Sequence, residues 1–122
     1  MLRAEIARSY PGLAADDILC FSGAEEGIYT AVRALLTPAD HCIIVTPCYL
    51  SLRSVAAAVC GSVTCVELLP EEGWQLDMAA LESAFTPATR MVVINYPHNP
   101  TGALLTAAEQ AAVVALCRRH GA

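Results

Sequence analysis

Lysine is absent from the 122 residues, so all seven strongly basic side chains are arginines. Arginine keeps its charge in proteins and offers no free amine. No side chain here can bond covalently to a carbonyl through nitrogen in the way lysine does. The arginines are scattered and the formal charge is -5. A phosphodiester backbone or an anionic membrane would find no basic stretch to neutralise it, which excludes both as partners. No apolar run approaches the roughly 20 residues that span a bilayer. Met1-Leu2-Arg3-Ala4-Glu5 lacks the apolar core of a signal peptide. The expected location is therefore cytoplasmic. Cys-x-x-Cys spacing is also missing among Cys20, Cys42, Cys48, Cys60, Cys65 and Cys117. Most of these lie in apolar runs, so packed, reduced thiols are expected rather than disulfides or metal ligands.

What is present is apolar: 56% hydrophobic residues against 16% charged, with a mean hydropathy of +0.50. Residues 1–122 fit one domain, and a domain of this size leaves much of its surface exposed. The excess apolar content predicts faces meant for further protein, from a longer chain or another subunit.

Helical and strand patterns alternate along the chain without repeats or linkers. A helix is expected over residues 2–10, closed by Tyr10-Pro11-Gly12, then a strand from Ile18 to Ser22 and a helix from Gly23. Ile28, Ala31, Val32, Leu35 and Leu36 share one face of that helix, which Thr37-Pro38 ends. Cys42-Ile43-Ile44-Val45-Thr46 is apolar without alternation, as a parallel strand covered on both faces must be. A helix from Tyr49 to Cys60, a strand from Val63 to Leu68 and a surface connection over Pro70 to Gln75 follow. Asp77 then caps a short helix carrying Leu81 and Phe85. Met91 to Asn95 is the fourth expected strand, and Thr106 with Glu109 has capping-box spacing for a last helix. The fold class read from this alternation is α/β: three layers, with a mostly parallel sheet and right-handed crossovers. In such folds ligands sit beyond the carboxyl ends of the strands.

Three segments with chemical signal fall there. In Ser22-Gly23-Ala24-Glu25-Glu26-Gly27 the glycine permits close approach, and the free amides of a helix start suit a phosphate. Small residues serve plain turns as well, and the two acids suit any helix start. Pointed at a phosphate they would repel it, so the contacts would have to come from backbone. In Thr46-Pro47-Cys48-Tyr49 the ring of Tyr49 either lies against a flat heteroaromatic ligand or packs at a helix start with its hydroxyl in water. Asn95-Tyr96-Pro97-His98-Asn99-Pro100-Thr101-Gly102 is the most specific. Its prolines stiffen an irregular loop, so the Asn99 amide can be aimed at a phenolate oxygen; the alternative is a rigid turn in which His98 and Asn99 only bond backbone.

Together with Tyr10-Pro11-Gly12 and Trp74-Gln75-Leu76-Asp77, these segments resemble in order and spacing the class I/II aminotransferases of the fold-type-I pyridoxal-phosphate enzymes. The resemblance covers almost the whole chain. It implies the N-terminal part of the large, cofactor-binding domain, stopping before the segment with the lysine that holds the cofactor. It further implies that Gly23, Ala24 and Glu25 present backbone amides to the phosphate of pyridoxal 5'-phosphate. Tyr49 would stack on the pyridine ring and Asn99 would bond the 3'-oxygen. His98 would stand behind these contacts, and a cis peptide would join Asn99 to Pro100.

Two function classes follow. In the first, the chain is a fragment of an aminotransferase acting on an amino acid and a 2-oxo acid, and is catalytically incompetent alone. In the second, it is a non-catalytic module of that fold that binds phosphate-bearing ligands or a protein partner. An interrupted sheet exposes an edge and an apolar face, so a homo-oligomer is expected in either case.

Overall fold

Four consecutive apolar residues set the centre of the sheet. Cys42, Ile43, Ile44 and Val45 are almost wholly buried within β1, His41–Thr46. Burying an isoleucine is worth about 1.5–3 kcal/mol, so Ile43 and Ile44 alone anchor this strand firmly. The computed structural model describes residues 1–122. On one side β1 pairs in parallel with β2, Ser62–Glu67, Ile44 standing opposite Cys65. On the other side it pairs in parallel with β3, Thr89–Val93, Ile44 standing opposite Val93. The strand order is thus β2-β1-β3.

Successive side chains of a strand point to opposite faces, and β1 divides its residues accordingly. Cys42 and Ile44 pack with Val32, Leu36, Ala56, Val59 and Cys60. These come from α2, Ala24–Leu35, with the residue after it, and from α3, Leu50–Val59, with the residue after it. Ile43 and Val45 pack on the other face with Leu81, Val113 and Leu116 among others. Those three belong to α4, Met78–Ser83, and α5, Ala107–His120. The step from β1 through α3 to β2 runs one way across the sheet, and the step through α4 to β3 runs back. Right-handed crossovers then require α3 and α4 on opposite faces, as found. The expected three-layer arrangement is present.

Helix starts follow their local chemistry. Asp77 accepts from the backbone N–H of Ala79 and Ala80 at 2.8 and 3.0 Å. Thr106 and Glu109 form the predicted capping box, and Glu109 is held below the usual carboxylate range, first by the Thr106 hydroxyl. Gly61, ahead of β2, sits where any Cβ would stand 2.3 Å from the Pro38 carbonyl oxygen. No helix is long and apolar enough to cross a membrane.

The structure corrects several sequence expectations. Ile18 to Ser22 is not a strand: the backbone at Ile18 is extended, but no neighbour in the three-stranded sheet pairs with it. Leu19 and Phe21 accordingly stay exposed. The first helix, α1, covers only Leu2–Ala7, because turn hydrogen bonds from Ser9 and Tyr10 close it early. Phe85 lies just beyond α4 and stacks on His120. All six thiols are free. Cys20 and Cys65 are exposed rather than packed; Cys65 shares a face with its register partner Ile44, but it lies on the edge strand β2.

Candidate functional site

The carboxyl ends of β1 and β3 and the first turns of α2 and α3 enclose a cleft of about 370 Å³. Its lining is Ala24, Ile28, Tyr49, Leu52, Ile94, Asn95 and Asn99. Three residues singled out in three separate segments, Ala24, Tyr49 and Asn99, thus meet on one surface. That volume lies at the lower end of the range of about 300–1,000 Å³ typical of small-molecule sites. The lining is mainly apolar with two asparagine amides and a phenol, the mixture that fixes a flat polar ring. Gly23 and Glu25 stand beside the cleft and do not line it.

Gly23 precedes α2, and no side chain caps that helix start. The first amides of a helix have no acceptor within it, so they remain donors at the positive end of the α2 dipole. The two acids expected to threaten an anion there are both engaged. Glu26 turns back to accept from the Ser22 backbone N–H at 2.7 Å. Glu25 Oε1 accepts from the Tyr49 hydroxyl and from the Ser51 hydroxyl, each at 2.6 Å. The Ser51 bond, then the Tyr49 bond, lowers the Glu25 pKa. The same carboxylate raises that of Tyr49.

Asn99 is exposed at the mouth of the cleft. Its loop is closed from below by His98, which is 3% exposed. The His98 N–H donates to the Ala103 carbonyl at 2.9 Å and its carbonyl accepts from Gly102 at 2.7 Å. His98 Nδ1 lies 2.8 Å from the Thr101 hydroxyl. The imidazole therefore braces the loop rather than lining the cleft. Tyr96 packs on the core containing Ile43 and Leu81, and burial first, then Glu109, raises its pKa. The expected cis peptide at Asn99–Pro100 is present, and Thr46–Pro47 and Tyr96–Pro97 are cis as well.

This arrangement fits the match to known proteins. The family model for aminotransferase class I and II matches residues 2–122. The chain belongs to the class I and II aminotransferases. A Pseudomonas aeruginosa arginine–pyruvate transaminase is 33% identical over 113 residues, covering 93% of this chain and 29% of the relative. A probable N-succinyldiaminopimelate aminotransferase of Mycobacterium tuberculosis is 42% identical over 98 residues, covering 80% of this chain and 25% of the relative. A crystal structure of a PLP-dependent aminotransferase from Streptococcus suis superposes with a TM-score of 0.92 at 27% identity. It covers 98% of this chain and 32% of that one. The chain thus spans about a quarter to a third of the length of these relatives.

Sequence reasoning missed Ile28, Leu52, Ile94 and Asn95 as cleft residues. Ile28 lies four residues after Ala24, and Leu52 three after Tyr49, which places each on the same helix face as a residue already singled out. The engagement of Glu25 by residues 24 and 26 positions away had no local signal at all.

Proposed function

We propose that this chain supplies one wall of the pyridoxal-phosphate site of an aminotransferase. The observation that carries the reading is the convergence of Ala24, Tyr49 and Asn99 on a single cleft beside the uncapped start of α2. The backbone amides of Gly23, Ala24 and Glu25 would hold the phosphate, with Glu25 and Glu26 already turned to other partners. The Tyr49 ring would stack on the pyridine, and the Asn99 amide would donate to the 3'-oxygen. His98 would keep Asn99 aimed by bracing its loop from below, with the cis Asn99–Pro100 bond completing that loop. What pyridoxal phosphate supplies when bound is an electron sink for exchanging an amino group between an amino acid and a 2-oxo acid. No lysine is available among these residues to anchor it. The covalent anchor and the substrate contacts are therefore assigned to protein outside this chain, whose own contribution is binding and orientation.

Homo-oligomerisation belongs to the same reading. β3 is an edge strand, and beside it Ile28, Ala31, Leu52 and Met91–Ile94 line an apolar groove of about 430 Å³. Such an edge and face invite a covering partner.

The test is a titration of the purified chain with pyridoxal phosphate, read by absorbance and fluorescence, followed by borohydride reduction and mass mapping. The expected result is saturable, reversible binding in roughly the tens of micromolar to millimolar range, with any reduced adduct confined to the Met1 amine. Binding that is absent, or unchanged by Asn99→Ala and Tyr49→Ala, would favour the non-catalytic module.

A further inference from the structure

The Glu25 carboxylate spans two helices at the point where both open onto the cleft. Glu25 is the second residue of α2; Tyr49 immediately precedes α3 and Ser51 is its second residue. One oxygen, Oε1, takes both hydroxyls at 2.6 Å. That is the length expected of a hydroxyl donating to an ionised carboxylate, about 2.5–2.7 Å, and such bonds are roughly twice as strong as neutral ones. Tyr49 is 43% exposed, so packing alone leaves its ring free to change rotamer. A side chain that must be ordered when a ligand arrives weakens binding by the entropy it loses. A bond at the tip of the phenol removes that freedom in advance. Ser51, drawn to the same oxygen, holds the carboxylate in turn.

We propose that Glu25 is a positioning residue: its carboxylate, braced by Ser51, holds the Tyr49 hydroxyl and so presets the Tyr49 ring in the plane on which a flat heteroaromatic ligand stacks. The inference rests on the stacking role proposed above for Tyr49. It assigns to the side chain of Glu25 a task separate from the backbone amide it offers to the phosphate. It also explains how an acid is tolerated beside an anion site, since the charge is spent on two hydroxyl donors. Glu25 and Tyr49 keep their roles at neutral pH: the Ser51 and Tyr49 hydroxyls hold the acid's pKa down, and the bond to the Glu25 carboxylate holds that of the phenol up.

The experiment uses the full chain and the variants Glu25→Ala, Glu25→Gln, Ser51→Ala, Tyr49→Phe and the double Glu25→Ala/Tyr49→Phe. Each is titrated with pyridoxal, pyridoxal phosphate and inorganic phosphate, and Tyr49 itself is titrated by NMR of ring-labelled tyrosine. Glu25→Ala and Tyr49→Phe are each expected to weaken pyridoxal about tenfold. The double variant is expected to lose no more than either alone, the mark of one shared interaction. Glu25→Gln, whose amide oxygen accepts the same hydroxyls, is expected to stay within about threefold of the parent, and Ser51→Ala to lose about twofold. Inorganic phosphate is expected to bind Glu25→Ala no more weakly than the parent, and the Tyr49 titration to move down in that variant. Tighter pyridoxal phosphate binding in Glu25→Ala and Glu25→Gln alike would make Glu25 a repelling charge only and overturn the proposal. A Tyr49 titration indifferent to Glu25 would overturn it too, whatever the ligands do. Failure of the parent to bind pyridoxal phosphate, with the Tyr49 titration still linked to Glu25, would instead remove the cofactor reading and leave a tether without that purpose.

Discussion

At the amino end of the sheet His41 reaches sideways to both neighbouring strands, its Nδ1 2.8 Å from the Thr89 hydroxyl and its Nε2 2.8 Å from the Thr64 hydroxyl. Thr89 also accepts from the Thr86 backbone N–H at 2.8 Å. Asp40 takes both the N–H and the hydroxyl of Thr37 at 2.7 Å, which holds its carboxyl below the usual range. At the carboxyl end the same kinds of group face outward: Asn99 is exposed, the start of α2 is uncapped, and Tyr49 shows its ring to a cleft. A polar group whose bonds close within the protein fixes structure, and one held in place but left facing a cleft is free to bind. Parallel strands all present the same end together, so this division covers the whole sheet at once.

The comparison breaks most readily through two thiols, one within β1 near its amino end and one just beyond its carboxyl end. Cys42 is wholly buried; its pKa is raised from 9.0 to about 12, by burial first and then by Cys60 and Cys65. Cys48, at the opposite end, is half-buried. Alkylation at neutral pH, mapped by mass spectrometry, is expected to modify Cys48 at least roughly a hundredfold faster than Cys42. Comparable rates would mean that the strand opens. Because the folded-state pKa of Cys42 is raised, its contribution to stability is intact below pH 9 and is lost as pH rises toward 12. Chemical denaturation across that range checks the sign.

Next in size is Gly61→Ala, which drives a Cβ against the Pro38 backbone oxygen at the amino end. The expected loss is about 3 kcal/mol in urea unfolding, with pyridoxal-phosphate binding by the folded fraction unaltered. His41→Ala strips two threonine hydroxyls of a partner and is expected to cost about 2 kcal/mol, again without touching affinity. Asn99→Ala reverses the pattern. Stability is expected to stay within about 0.5 kcal/mol of the parent, while pyridoxal-phosphate affinity falls about tenfold. If Asn99→Ala instead unfolds the chain, the two ends are not separate in kind. The smallest effect expected is that of Thr106→Ala, which removes one cap of α5 for about 1 kcal/mol, read by the same unfolding curve.

Much of this organisation was readable from residues alone, for identifiable reasons. The unbroken apolar run of β1 announced a strand buried on both faces, and the Thr106–Glu109 spacing announced the start of α5; both depend on neighbours in sequence. The motifs around Gly23, Tyr49 and Asn99 were legible because glycine, proline and asparagine constrain the backbone locally. Ile18 to Ser22 was misread as a strand because a strand exists only by pairing, and composition carries no record of whether a partner lies alongside. His98 was legible as part of a motif but not as a brace, since its bond to Thr101 depends on how the loop closes.

The sequence by itself determined the three-layer α/β order, the family and the absence of a lysine, since these rest on residue identity, periodicity and spacing along the chain. Only the tertiary structure decided that Ala24, Tyr49 and Asn99 share one cleft, that His41 closes the opposite end, and that Glu25 spends its charge on Tyr49 and Ser51. Each of those contacts joins residues well apart in the chain, and only the packing of the helices on the sheet sets the distance between them.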